Sequence, residues 1–268
     1  MFDRQGYGYI SHGRFISRLS TDGKSAIWAE TGAPRGHAIL PDGTHLVCDA
    51  SHRAVLRLDA QGKTIGAASS ESDGKPLREP NDLALDPNGG FYFTDTGGAR
   101  DGPAGAIHFM DPGGRTHLAA SGLHYPTGIA LRPDGKSLLI AEGMRNRILT
   151  YDVLAPGKLG PMKVLANLPG KQSGQIDNLP DGICLDLRGN LYVAHNGMKV
   201  VEVISRKGRW IRQYPAGLLM TSGVAFGGSR MNQLYITGGL GEQGKSQGGL
   251  FRLDLRSVRG IPPRGAQK

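Results

Sequence analysis

One segment recurs five times along this chain, and that recurrence limits the fold more than any local feature. The copies read RGHAILPDGTHLVCDA from Arg35, NDLALDPNGGFYFTDT from Asn81, TGIALRPDGKSLLIAE from Thr127, DGICLDLRGNLYVAHN from Asp181 and SGVAFGGSRMNQLYIT from Ser222. Their starts lie 46, 46, 54 and 41 residues apart. In each copy two short apolar runs flank a Gly-containing turn such as Pro133-Asp134-Gly135, the pattern of a β-hairpin. A third strand follows each hairpin: AVLRLD from Ala54, AIHFMD from Ala106, RILTYD from Arg147, VVEVIS from Val200 and GLFRLD from Gly249. A fourth follows less clearly, as in KVLANL from Lys163. Four antiparallel strands repeated every ~40–50 residues predict the blades of a β-propeller around a central channel.

The N-terminal GYGYISHGRFISRLSTDGKSAIWAE matches the later three strands of a sixth blade. The expected fold is therefore all-β, a six-bladed propeller whose first blade is incomplete at its N-terminus. By the repeat period, the missing inner strand would open about eleven positions before Met1. The rhythm predicts a single domain over residues 1–258.

Composition agrees with this reading. With 42 Gly and 16 Pro, more than a fifth of the positions interrupt helices, which excludes a helical bundle or coiled coil. No apolar run approaches the roughly 20 residues of a membrane span, and MFDRQGYGYI has neither the basic nor the apolar region of a secretory signal. A soluble, cytoplasmic protein with no membrane partner is expected. The net charge of +9 is dispersed except for Arg252, Arg256, Arg259, Arg264 and Lys268. Residues 259–268 read as a basic, disordered tail, and no nucleic-acid partner is expected. Cys48 and Cys184 sit in apolar segments 136 residues apart and read as free thiols.

The repeat also places the chemistry. The innermost strand of every blade lines the channel, so the residues that open these strands converge at one mouth: Arg35, Asn81, Thr127, Asp181 and Ser222. The antiparallel second strand returns to the same mouth and ends at Asp49, Asp95, Glu142, His195 and Thr237. Asn, Asp, Glu and His together offer donors suited to a divalent cation. Asn81 and Asp181 either face the funnel or cap their strand entries through nearby amides. Asp49 and Asp95 read as turn anchors, and His195 as a ligand, a base or a structural donor. His37, deeper on the strand of Arg35, reads as structural. GGLGEQGK lies between two strands, not before a helix, so it reads as a rim loop rather than a phosphate loop.

PNDLALDPNGGFYFTDT, GAIHFMDPGGRT, PTGIALRPDGKSLLIAE, NRILTYD and LPDGICLDLRGNLYVA resemble the SMP-30/gluconolactonase/luciferin-regenerating-enzyme family, over about residues 10–255. The resemblance implies a six-bladed propeller that holds one divalent cation, calcium or zinc, and hydrolyses a small-molecule lactone. It implies that Asp181 is both metal ligand and catalytic proton acceptor, and that Asn81 is the substrate-side amide at the edge of the metal site. Thr127 stands where a ligand Asn is expected, and the expected first-blade Glu has no counterpart. Glu79 replaces an Arg often found two positions before Asn81, which leaves Glu79 and Arg35 as further substrate-binding candidates. Glu142 and His195 are candidates for a supporting shell. Two other functions fit the same residues: a non-catalytic small-molecule-binding propeller with a degraded metal site, and a metal-independent enzyme similar to strictosidine synthase, for which Glu142 would be the acid.

Overall fold

The hairpins form where the turn chemistry places them. The Asp134 carboxylate accepts the Lys136 amide at 3.0 Å, and Gly135 takes φ +70°, a conformation that favours glycine. Asp42 and Asp186 do the same in their own turns, accepting from Thr44 and from Arg188 and Asn190. The computed structural model describes residues 1–170, 179–217, 219–240 and 247–263. Nearly all of its regular structure is strand, in six small antiparallel sheets arranged as the blades of a propeller.

Blade one holds β1 (Gly8–His12), β2 (Phe15–Leu19) and β3 (Ser25–Glu30). Blade two holds β4 (Pro34–Ile39), β5 (His45–Asp49), β6 (Ala54–Leu58) and β7 (Thr64–Ser69), and a short hairpin follows, β8 (Glu71–Ser72) with β9 (Lys75–Pro76). Blade three holds β10 (Pro80–Leu85), β11 (Phe91–Asp95), β12 (Gly105–Met110) and β13 (Thr116–Leu123). Blade four holds β14 (Pro126–Leu131), β15 (Ser137–Glu142), β16 (Arg147–Ala155), β17 (Lys158–Leu159) and β18 (Lys163–Asn167). Blade five holds β19 (Leu179–Leu185), β20 (Leu191–Asn196), β21 (Val200–Ile204) and β22 (Trp210–Pro215), and blade six holds β23 (Leu219–Gly227), β24 (Gln233–Leu240) and β25 (Gly248–Asp254). In each blade the strands pair in chain order, except that β18 joins β16 beside the short β17.

Stability comes from apolar faces pressed between neighbouring blades. Tyr92, Ile107 and Phe109 of blade three meet Ile129, Leu138 and Ile140 of blade four in one buried cluster. Similar clusters join blades one and two, two and three, four and five, and five and six. Between blades six and one the link is Phe2, whose ring centroid lies 4.4 Å from that of Tyr235. Phe2 pairs with Gly8, and the Tyr9 amide donates to the Met1 carbonyl at 2.8 Å, so Met1–Asp3 lies against the channel side of β1.

Two details differ from the sequence reading. Blade six has only three strands among the described residues, which leaves β25 as an outer edge. Residues 259–261, read as the start of a disordered tail, are bonded to the rest of the fold: the Gly260 amide donates to the Met231 carbonyl, and Leu187 donates to the Arg259 carbonyl. The backbone of Arg259, Gly260 and Ile261 finds partners along blades five and six, and a charge-based reading misses this. Residues 264–268 of that tail, and residues 241–246 of the glycine-rich loop, lie outside the described residues. No helix of the described residues is long and apolar enough to cross a membrane. Cys48 and Cys184 are free.

Candidate functional site

The inner strands of blades two to six each break register near their openings. The ladder skips between Pro34 and His37, between Pro80 and Leu83, between Pro126 and Ile129, between Pro180 and Ile183, and between Thr221 and Gly223. The residues inside these bulges are the strand openers named above. A bulge leaves its residues out of the ladder and re-aims their side chains. Arg35, Asn81, Thr127, Asp181 and Ser222 accordingly line one cavity of about 800 Å3 at the channel mouth.

The loops feeding these bulges are held by the ends of the second strands. Asp49 accepts the amides of Gly32, Ala33 and His52 at 2.8–3.0 Å. Asp95 accepts those of Arg78, Glu79 and Gly97 at 2.7–2.9 Å. Glu142 repeats the device, accepting the His124 amide at 2.8 Å and pairing with Arg147. Asp49 and Asp95 are thus turn anchors, as their position predicts.

Glu142 and His195 are not among the residues that line the cavity. Glu142 is 1% exposed and latched to its own blade. His195 is fully buried, with Nε2 2.9 Å from Asn146 Oδ1 and Nδ1 3.5 Å from Glu202. Strand-end position predicts the mouth, but a side chain that points between sheets rather than along the channel is lost to it. His37, whose Nε2 lies 2.7 Å from His45 Nδ1, lines the cavity lower down.

Asp181 and Asn81 remain available. Neither the carboxylate nor the side-chain amide has a hydrogen-bond partner among the described residues. Burial pushes the Asp181 carboxyl up to about 7, the nearby charge of Asp82 adds to the rise, and Arg35 and Arg100 oppose it. Arg35 lies 3.5 Å from Glu79, which also accepts the Thr96 hydroxyl at 2.8 Å. Glu79 does not line the cavity itself and reaches it only through Arg35.

Asp82 is the residue that the sequence reading missed. It lines the cavity, and its carboxylate accepts the Leu83 amide at 2.9 Å and the Ile129 amide of the next inner strand at 3.3 Å. Burial raises its carboxyl to about 6, with those amides holding it down. The signal was present: the equivalent position in the other four copies is Gly36, Gly128, Gly182 and Gly223.

The donors do not fit a tightly held cation. The Thr127 hydroxyl donates within its wall, 3.0 Å from the Pro180 carbonyl and 3.3 Å from that of Ala141. Both Asp82 oxygens already accept amides, which leaves one unengaged carboxylate, that of Asp181, and the amide oxygens of Asn81 and Asn196 among the described lining residues. Calcium takes six to eight oxygens and binds more tightly as ligand charge rises. Among the described residues, no group of three or more His, Cys, Asp or Glu could hold a metal ion.

A propeller whose inner-strand bulges turn polar side chains into one channel mouth is a scaffold for a small-molecule site. The SMP-30/gluconolactonase/LRE-like region matches residues 10–239, and the chain belongs to that family. It is 25% identical to a regucalcin from Xenopus laevis over 94% of this chain and 87% of that one. It is 28% identical to a gluconolactonase from Zymomonas mobilis over 60% of this chain, a match that spans about half, 49%, of that relative. A solved gluconolactonase from Xanthomonas campestris superposes with a TM-score of 0.73 at 25% identity, covering 85% of this chain and 76% of the other.

Proposed function

We propose that the chain hydrolyses a lactone in this cavity, with Asp181 as proton acceptor and Asn81 as the group that orients the carbonyl. The observation that carries the reading is the pair of side chains, Asp181 and Asn81, that line the cavity with no hydrogen-bond partner among the described residues, whereas the adjoining Asp82 and Thr127 are engaged. Strand-entry caps would be bonded to nearby amides, and here Asp49, Asp95 and Glu142 perform that task instead.

In the proposed reaction a water oxygen attacks the lactone carbonyl carbon while the Asp181 carboxylate takes the water's proton. The Asn81 amide N–H donates to the oxyanion that forms. Collapse breaks the ring C–O bond, and Asp181 returns the proton to the leaving alkoxide, giving a hydroxy acid. A carboxyl near 7 holds and releases a proton close to neutral pH, which suits both halves of this cycle. Because the donors do not fit a cation, no step is assigned to calcium or zinc.

The strictosidine-synthase-like alternative needs a Glu in the funnel, and its nearest candidate, Glu142, is turned into its blade. The incomplete donor set favours one other reading, a binding propeller without turnover. Hydrolysis of glucono-δ-lactone by the wild type, and its loss in Asp181→Asn, tests the proposal. Binding without turnover would select the second reading.

A further inference from the structure

We infer that the funnel mouth carries a subsite for an anionic group on the ligand, a carboxylate or a phosphate, with Arg100 as its anchor. Arg100 lies in the loop between β11 and β12 and lines the same cavity as Asn81 and Asp181. Its guanidinium sits over the Tyr125 ring at 5.3 Å from the centroid, and Tyr125 lines the cavity too. An aromatic face beneath a guanidinium orients its plane and leaves the N–H edges free for a planar or tetrahedral anion.

The other arginine at the mouth is differently placed. Arg35 has Glu79 at 3.5 Å, whereas no carboxylate lies within 4.0 Å of Arg100 among the described residues. The field of Arg100 nevertheless reaches Asp181. A ligand can therefore rest its charged group on Arg100 at the rim while its reacting carbonyl stands at Asn81 and Asp181 below. A neutral ligand would leave the stacked guanidinium with no counter-charge. The cavity, at about 800 Å3, has room for such a two-ended molecule.

The kinetic part of the test rests on the lactone reading, and the binding part does not. Three lactones are compared, neutral glucono-δ-lactone, D-glucaro-1,4-lactone with a free carboxylate, and 6-phosphoglucono-δ-lactone, with wild type, Arg100→Gln and Arg100→Lys. Calorimetry with 6-phosphogluconate and with glucarate gives affinity without turnover. The wild type is expected to prefer an anionic lactone, and Arg100→Gln to lower the anionic-to-neutral ratio of kcat/KM at least tenfold, mainly through KM. Arg100→Lys restores the ratio in part, and the arm with the larger loss separates phosphate from carboxylate. The affinity for the matching acid should drop tenfold in Arg100→Gln and fall with salt. Arg100-dependent binding without hydrolysis of any lactone would sustain the subsite and remove the lactone reading. Hydrolysis with an unchanged ratio and unchanged affinity in Arg100→Gln would overturn the subsite and leave the lactone reading intact.

Discussion

Gly36 and Asp82 interlock across two blades: a methyl group placed on Gly36 would stand 2.2 Å from an Asp82 carboxylate oxygen and 2.5 Å from the Asp82 Cα. The absent side chain on β4 makes room for the one that β10 turns inward. Gly128 approaches the Asp181 carbonyl in the same way, at 2.3 Å from its notional Cβ. The ring of inner strands is thus drawn together at the level of the site.

Gly36→Ala is expected to destabilise the fold by about 1–3 kcal/mol, because the backbone contact cannot yield as a flexible side chain would. Urea unfolding measures the loss. A variant as stable as the wild type would mean that the ring is looser here than the packing indicates.

Asp181→Asn should reduce glucono-δ-lactone turnover by about 10²–10⁴-fold while the far-UV spectrum stays unchanged, since an amide cannot accept the water proton. Full activity in this variant removes the proposed chemistry. Asn81→Ala should cost less, on the order of ten- to a hundredfold, as one oxyanion donor among several interactions.

The pH dependence follows from the sign of the Asp181 shift. Its folded carboxyl titrates near 7 against 3.8 for an unperturbed group, so the folded chain keeps a proton that the unfolded chain has released. This stabilising contribution is complete below about pH 4 and is lost as pH rises through 7. Asp181→Asn should therefore gain stability relative to the wild type between pH 5 and 8, as followed by the urea midpoint. Wild-type kcat should rise over pH 6–8 as the acceptor form fills.

Glu142→Ala tests the latch. It strands the His124 amide and the Arg147 guanidinium, and a loss of about 2–4 kcal/mol is expected. At low temperature the folded fraction should keep a kcat within about threefold of wild type, consistent with a group that touches no substrate. A hundredfold fall in kcat at unchanged stability would return Glu142 to the reaction.

Calcium and zinc should bind weakly, with half-saturation near ~1 mM for calcium, as expected of one unengaged carboxylate with the amide oxygens of Asn81 and Asn196. Calorimetric titration checks this. Micromolar binding would show that other ligands are recruited.

Much of this arrangement was legible in the repeat. The hairpins declared themselves through Asp-Gly turns, and aligned copies located Asn81, Thr127 and Asp181 on one rim. The bulges were not legible, because alternation of apolar residues does not reveal where a ladder skips. Without the bulge, Asp82 reads as facing away from its neighbour Asn81, whereas both line the cavity. Glu142 and His195 end their strands at the height of the mouth without lining the cavity, because strand-end position fixes height along the channel but not which way a side chain turns. Thr127 kept its place on the rim, yet its hydroxyl is engaged by backbone carbonyls that only the folded neighbours supply.

The lone aspartate in a ring of glycines also bears on handedness. Repeated blades alone would offer a ligand several equivalent rotations about the channel axis, and mirror-image sugars could exploit different ones. Asp82, Asn81 and Arg100 all belong to blade three or its loop, while Asp181 opens blade five. The proposed contacts, a rim cation and an amide on blade three and a carboxylate on blade five, would hold a ligand at three groups spread unevenly around the mouth. On that proposal, such a surface would favour one enantiomer of a ring over the other.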